Sequence, residues 1–447
     1  MLQTTIRLAD FDYELDYQAP AGSFARNTNM KFKDLVFRIL APMKRGALDL
    51  VLPDGTGKRF GGLAKHSVAR IEVRDENFFR RCVLAGPIGF AESHIAGEWD
   101  SVDLPAVVSF FILNSDESAA LDTPGRKRSP FIDLLAAYNR LLHRRRPNSL
   151  RTSRRNISEH YDLSNEFFAL WLDPSMTYSS AYFDPPEISL EEAQQKKYAA
   201  LCDKLRLGSN DHVLEIGTGW GGFCIHAATR HGCRVTTTTI SEEQFKEASA
   251  RVMAAGLGDR VRVIREDYRS LSGTYDKIAS IEMLEAVGDR YVNGFFEKCS
   301  RLLAPCGLLG LQAILCPDQQ YEILRSGVDF IQKHIFPGSL LMSLRRILDA
   351  TSRTAGLNLL AYEDMAPHYA KTLRLWRETF DAQEEAVLAL GFDEPFLRKW
   401  RYYLAYCEAA FATRHITVAQ FVFSNPQNLR LNAGSPVADL AFARSSR

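Results

Sequence analysis

Val213-Leu214-Glu215-Ile216-Gly217-Thr218-Gly219-Trp220-Gly221-Gly222 reads as a short buried strand, a glycine turn and the start of a helix that continues from Phe223 to Arg230. Gly217, Gly219 and Gly221 carry no Cβ, so the backbone there can approach a bulky ligand closely. Glu215 closes the strand just before the turn. The spacing is G-x-G-x-G-G. A dinucleotide fingerprint would be G-x-G-x-x-G, with an anion on the helix N-terminus.

Around this stretch strand and helix patterns alternate. Helix 190–205 precedes strand 212–216, and helix 222–231, strand 233–240, helix 242–255 and strand 260–265 follow. Strand 276–281, helix 291–303 and strand 307–315 continue the series. Such alternation predicts a largely parallel sheet with helices on both faces, an α/β fold whose ligand sits at the carboxyl ends of the strands. The glycine turn and Glu285 both fall at such ends. In this setting the glycine stretch resembles the first motif of Rossmann-like, S-adenosylmethionine-dependent methyltransferases.

The chain has 447 residues, which favours two domains. Hydrophobic content of 46% and charged content of 24% suit a globular protein with a large core. A net charge of +1 gives no overall nucleic-acid or membrane signal. No apolar run approaches the roughly 18 residues of a membrane span. Met1 to Thr5 lacks a basic region leading into an apolar core, so no secretory signal is expected. The eight cysteines are scattered and none forms C-x-x-C, so neither a zinc site nor a disulfide framework is suggested. They read as reduced, mostly buried thiols of a cytoplasmic protein.

Residues 1–115 read as a smaller N-terminal domain. Lys31 to Ala41 has helical spacing, and Gly46–Val51 and Ala69–Val73 read as strands around the turn Pro53 to Gly57. Phe78 to Ala85 reads as a helix stopped by Gly86-Pro87. His66 and His94 are lone histidines, read as surface or packed groups. Residues 116–155 read as a connector with a helical segment, Phe131 to His143. Between Arg126 and Arg155 it carries ten positive charges, including Arg144, Arg145 and Arg146, opposed only by Asp133. Such a stretch suits anionic lipid headgroups, a solvated linker or nucleic acid. A catalytic domain follows from 156 to about 425, and 426–447 reads as a mobile tail. Within the catalytic domain come an aromatic helix from Asn165 to Leu172, an apolar insert from Phe330 to Gly338 and a helix from Leu344 to Ala355. Strand 357–362, helices 366–389 and 396–413 and a last strand, 417–424, complete it.

Seven pieces taken in order resemble the cyclopropane-fatty-acyl-phospholipid synthase family, with its mycolic acid cyclopropane synthases. They are His160 to Asn165, Tyr178 to Phe183, Leu214 to Gly222, Thr239 to Gln244, Ser280 to Gly288, Phe330 to Gly338 and His368 to Leu373. Gly89 to Asp100 also resembles the accessory domain of the bacterial phospholipid enzymes. The resemblance implies a class I methyltransferase fold with the aromatic insert over an acyl site. It implies S-adenosylmethionine as methyl donor and a double bond in a membrane phospholipid as acceptor, which tips the basic connector toward lipid rather than nucleic acid. The protein would be peripheral on the cytoplasmic face of the membrane, and a homodimer is compatible with the family. The double bond takes the sulfonium methyl, a carbocation forms, and loss of a proton from the new methyl closes a cyclopropane. Water must be excluded and the base held still. Tyr178, Tyr182, Phe183, Phe330, Phe336 and Tyr369 are the aromatics expected to line that pocket, where ring faces attract a cation.

By match to the family, Tyr178, Ser179, Gly217, Gly219, Gly221, Thr239 and Gln244 contact the cofactor, and Asp267-Tyr268 sits near the adenine. The resemblance also implies bicarbonate as the base, held by Glu285, Tyr369, the residue at 312 and backbone groups at 180 and 314. Two positions depart: Ser180 replaces a cysteine, and Gln312 replaces a histidine, keeping hydrogen bonding but losing charge. Ile314 keeps its type. Glu282 replaces a usual glycine, adding a carboxylate near Glu285, and Ala286 replaces a common histidine. These departures resemble a sub-group with enzymes that make methyl- or methylene-branched fatty acids. There the cation loses a chain proton, Glu285 itself is a candidate base, and a partner reductase would complete a methyl branch. A methyltransferase for a small soluble acceptor and a non-catalytic lipid- or cofactor-binding protein are the readings from other classes.

Overall fold

The computed structural model describes residues 24–62, 68–115, 164–426, 428 and 431. His66, the basic connector with its helix 131–143, His160 to Leu163 and most of the tail lie outside the described residues. No described helix is long and apolar enough to cross a membrane. All eight cysteines are free.

The N-terminal unit has its own sheet. It comprises α1 (Phe24–Leu40), β1 (Ala47–Val51), β2 (Gly57–Gly61), β3 (Ala69–Val73), α2 (Asn77–Ile95), β4 (Trp99–Asp100) and α3 (Leu104–Leu113). The strand order is β2-β1-β3-β4, with only β1 and β3 parallel. Strand β2 is absent from the sequence reading because it buries one side chain, Phe60, and so shows no alternation. Helix α2 does not stop at Gly86-Pro87. Gly86 takes φ 57°, ψ −135°, and Pro87 then starts a new turn in which a missing N–H costs little. His94 is buried between Trp99 and Tyr402, a packed histidine.

The larger unit follows α4 (Asn165–Ala169) and α5 (Leu190–Leu205). Its first half is β5 (His212–Ile216), α6 (Gly222–His231), β6 (Arg234–Thr238), α7 (Glu242–Ala254), β7 (Val261–Ile264), β8 (Tyr275–Ile281), α8 (Val292–Leu302) and β9 (Leu303–Cys316). Then come α9 (Asp318–Ser326), α10 (Phe330–His334), β10 (Met342–Ser343), α11 (Leu344–Ala350) and β11 (Asn358–Asp364). Helices α12 (Ala366–Ala382), α13 (Glu384–Ala389) and α14 (Glu394–Ala412) lead to β12 (Thr417–Ser424). The sheet order is β11-β12-β9-β8-β5-β6-β7, with β10 beside β9. Strands β5 to β9 are parallel and β12 runs against β9. The expected helix 344–355 ends in a π-helical turn at 351–355, and Gly356 follows at φ 60°. The expected helix 366–389 breaks at Gln383 into two.

A helical roof of α4, α10, α12 and α14 covers the carboxyl end of the sheet. Phe167, Trp171, Trp376 and Trp400 are its fully buried centre. The N-terminal unit docks on this roof. Arg398 of α14 donates to the carbonyls of His94 and Trp99 and to Asp100. Glu92 of α2 pairs with Lys333 and His334 of α10. One apolar cluster runs through both, from Val36 and Phe79 to Trp400 and Phe411.

Candidate active site

A cavity of about 350 Å³ lies between the strand ends and the roof. It sits where strand order reverses, β6 on one side of β5 and β8 on the other, the switch point at which α/β sheets bind ligands. On the strand side the turn after β5 puts Gly217 at φ 101° and Gly219 at φ 52°. A Cβ on Gly219 would meet nothing within 4 Å, so its backbone faces open space. The N–H groups of Gly217 and Thr218 donate to the Thr238 carbonyl, which locks the turn to β6. Glu215 lines the cavity with Oε2 unpartnered, and burial pushes its carboxyl up to about 8. Thr239 donates to Gln244 Oε1 at 2.8 Å at the end of β6. Asp267 and Tyr268 close this side, with Asp267 gripped by two nitrogens of Arg269.

Of the residues expected at the cofactor, Tyr178, Ser179, Gly217, Gly219, Thr239, Gln244, Asp267 and Tyr268 line the cavity. Gly221 does not. It caps α6 at φ 90° with its Cα face against Ala248, so its glycine serves the turn. The lining residues fit S-adenosylmethionine: open glycine backbone for a bulky ligand, and the buried Glu215 carboxyl, its Oε2 unpartnered, for its cationic end.

The aromatic expectation is half right. Tyr178, Phe336 and Tyr369 line the cavity, but Tyr182, Phe183 and Phe330 do not. Tyr182 stacks on His368 and donates to Glu363; Phe183 is buried with Ala181 and Ala193; Phe330 packs on Tyr402. Their places are taken by Tyr403, Tyr406 and Phe411 of α14. Tyr178 and Tyr403 join hydroxyls at 2.8 Å, tying the loop to the roof.

The base cluster differs most from expectation. Glu282, just past β8, sits at φ 48°, a conformation that favours glycine. Its backbone N–H donates to the Gln312 carbonyl at 2.7 Å. Its carboxylate collects three donors: the Ser180 N–H at 2.8 Å, Gln312 Nε2 at 2.8 Å and the Tyr369 hydroxyl at 2.8 Å. These are the groups expected to hold bicarbonate. The fourth, the Ile314 N–H, donates to Glu285 Oε1 at 2.5 Å. The site therefore does not fit bicarbonate, because two carboxylates of the chain use its donors. Gln312 and Ser180 lie behind Glu282 rather than on the cavity surface, whereas Ile314 reaches it.

Burial raises the Glu282 carboxyl, opposed by its donors and by Lys197. Burial and the Glu282 charge together push Glu285 up to about 8. Its Oε2 has no partner. Three donors on Glu282 against one on Glu285 favour the charge on Glu282 and the proton on Glu285. Lys197 was missed in the sequence. It is fully buried, donates to Ser179 Oγ at 2.6 Å, and burial lowers its ammonium to about 7. Its position on the inner face of α5, one helix before the glycine turn, was the only available signal.

A family model described as mycolic acid cyclopropane synthetase matches residues 148–421. The tuberculostearic acid methyltransferase UfaA1 of Mycobacterium tuberculosis is 39% identical over 392 residues, 84% of this chain and 87% of that protein. The cyclopropane-fatty-acyl-phospholipid synthase of Escherichia coli is 34% identical over 363 residues, 80% and 88% of the two chains. A solved structure of mycolic acid cyclopropane synthase CmaA1 complexed with SAH and CTAB aligns at TM-score 0.57 and 30% identity, over 60% of this chain and 97% of that one. The chain belongs to the mycolic acid cyclopropane synthetase family, the S-adenosylmethionine-dependent lipid methyltransferases and cyclopropane synthases.

Proposed function

We propose that this enzyme methylates the double bond of an unsaturated acyl chain in membrane phospholipid and releases a methyl-branched alkene rather than a cyclopropane. The observation that carries this reading is the Glu282 carboxylate, held by the three donors that the family resemblance assigns to bicarbonate. The name of the tuberculostearic acid methyltransferase relative points the same way.

Bound at the strand ends, S-adenosylmethionine supplies an electrophilic methyl to the double bond and leaves as the thioether, with a carbocation left on the neighbouring chain carbon. Roof side chains Ile331, Phe336, Leu373 and Phe411 supply an apolar wall for the acyl chain and keep water from the cation. Tyr178, Tyr369 and Tyr403 offer ring faces to it. Glu282 takes a proton from the chain carbon beside the cation, and that C–H electron pair becomes the new double bond. A proton next to a carbocation is acidic enough for a carboxylate held by three donors to remove. Glu285, neutral at pH 7, leaves the negative charge on one carboxylate only. The basic stretch 126–155 suits approach to anionic lipid, with the protein peripheral on the cytoplasmic face.

Methyl-deuterated S-adenosylmethionine and vesicles of monounsaturated phospholipid test the reading by mass spectrometry. Retention of all three deuteriums on the added carbon is expected. Loss of one would show that the proton came from the added methyl, as ring closure requires, the reading favoured by Glu285, Tyr369 and Ile314 all reaching the cavity. No added mass on lipid would reject both.

A further inference from the structure

Glu282 does not end the polar network of the site. Gln312 of β9 and Gln420 of β12 stand opposite one another across the antiparallel pair, both fully buried. Gln420 Nε2 donates to Gln312 Oε1 at 3.0 Å, and Gln312 Nε2 donates to Glu282 Oε1 at 2.8 Å. On its other side Gln420 Oε1 accepts from Lys204 Nζ at 2.6 Å. Lys204 stands near the end of α5, its side chain 21% exposed, and pairs with Glu363 Oε2 at 2.5 Å. Tyr182 donates to the other oxygen of Glu363 at 2.9 Å. The chain of bonds thus runs from the rim of the sheet to the base.

Each primary amide can donate from one end and accept at the other. An ammonium only donates and a carboxylate only accepts. Lys204 therefore forces Gln420 to present its oxygen outward and its nitrogen inward. Gln420 in turn forces Gln312 to present its oxygen to Gln420 and its nitrogen to Glu282. Both ends of the chain dictate the same direction.

We propose that Lys204, acting through Gln420, is a positioning residue that fixes the amide of Gln312 as a donor to Glu282 and so holds Glu282 ionised. The proposal rests on the reading of Glu282 as the base. It also accounts for Tyr182, which lies away from the cavity yet steadies the Glu363 partner of Lys204. With a free amide, Gln312 could turn its oxygen on the carboxylate, which favours the protonated acid. The other groups facing Glu282 are Lys197 from α5, Glu285 from the turn after β8, and Tyr369 from α12. Of these Lys197 touches the glutamines through its backbone carbonyl, which accepts from Gln420 Nε2 at 3.3 Å, and none of them bonds to Lys204.

The test is a carboxyl titration of the folded, full-length protein by infrared difference spectroscopy, with the Glu282 band identified by its loss in Glu282→Gln. Lys204→Met keeps the apolar stem and removes the donor. Its Glu282 titration is expected about one pH unit above that of the wild type. Lys204→Arg restores the donor and should return the titration to the wild-type position. Gln420→Glu accepts from Lys204 but has no donor for Gln312, so the Gln312 amide reverses and the upward shift should match or exceed that of Lys204→Met. Thermal unfolding checks that each variant is folded. Coincident Glu282 titrations in wild type, Lys204→Met and Gln420→Glu would overturn the proposal. The titration needs no turnover, so a wild type that methylates no lipid would count against the proposed function alone. Where lipid is methylated, the acid limb of the rate profile should move with the titration.

Discussion

The two walls of the cavity are built by different means. On the strand side, ligand-facing groups are fixed by neighbours close in sequence: Gly217 and Thr218 on the Thr238 carbonyl, Thr239 on Gln244, Asp267 on Arg269. On the roof side they are fixed by partners far away: Tyr178 by Tyr403 and Tyr369 by Glu282. A wall of local turns can be shared by many methyltransferases. A wall of long-range contacts is specific to one substrate and one proton.

The sharpest way to separate the walls is Glu282→Gln. The amide keeps the size of the side chain and removes the base. Turnover should fall about a thousandfold, within the usual range for a general base, with binding of S-adenosylhomocysteine unchanged by calorimetry. A parallel loss of cofactor affinity would show that the two walls are not separable.

Trp400→Ala attacks the roof alone. The indole is fully buried against Phe167, Trp171 and Phe380. A cost of about 3–4 kcal/mol in denaturant unfolding is expected. A smaller cost would mean that the N-terminal unit, docked through Arg398, carries the roof instead.

The carboxylate pair makes a pH prediction. The Glu285 carboxyl is raised in the folded state to about 8 from the ordinary 4.5. Its favourable contribution is complete below about pH 4.5 and is lost as pH rises through about 8. Glu285→Gln cannot ionise. It should match the wild type near pH 5 and be more stable at pH 8 by about 1–3 kcal/mol. Equal stability at both values would remove the shared-proton account. The mildest probe is Tyr403→Phe, which deletes one hydroxyl contact between loop and roof and should cost about 1 kcal/mol.

The same contrast decided what the sequence could disclose. The glycine turn and the β5 to β9 series were legible because each step depends on spacing within about thirty positions, whereas the eight cavity residues came from the resemblance to the family. Strand β2 was hidden because one buried side chain leaves no period. Helix α2 was cut short at Gly86-Pro87 because a glycine can kink a helix and let it resume. Tyr182, Phe183 and Phe330 were placed in the pocket because aromatic character says nothing about which face of a loop turns inward. The seat of Glu282 was out of reach. It depends on a positive φ at 282 and on donors from residues 180, 312 and 369, which only the folded sheet and roof bring together.

The central claim is that the chain supplies its own base where relatives are expected to borrow one. The direct measurement is the rate of lipid methylation by the wild type in buffer freed of bicarbonate and in buffer with bicarbonate restored. The Glu282 carboxylate predicts the same rate in both. Turnover that stops without bicarbonate and returns with it would contradict the account.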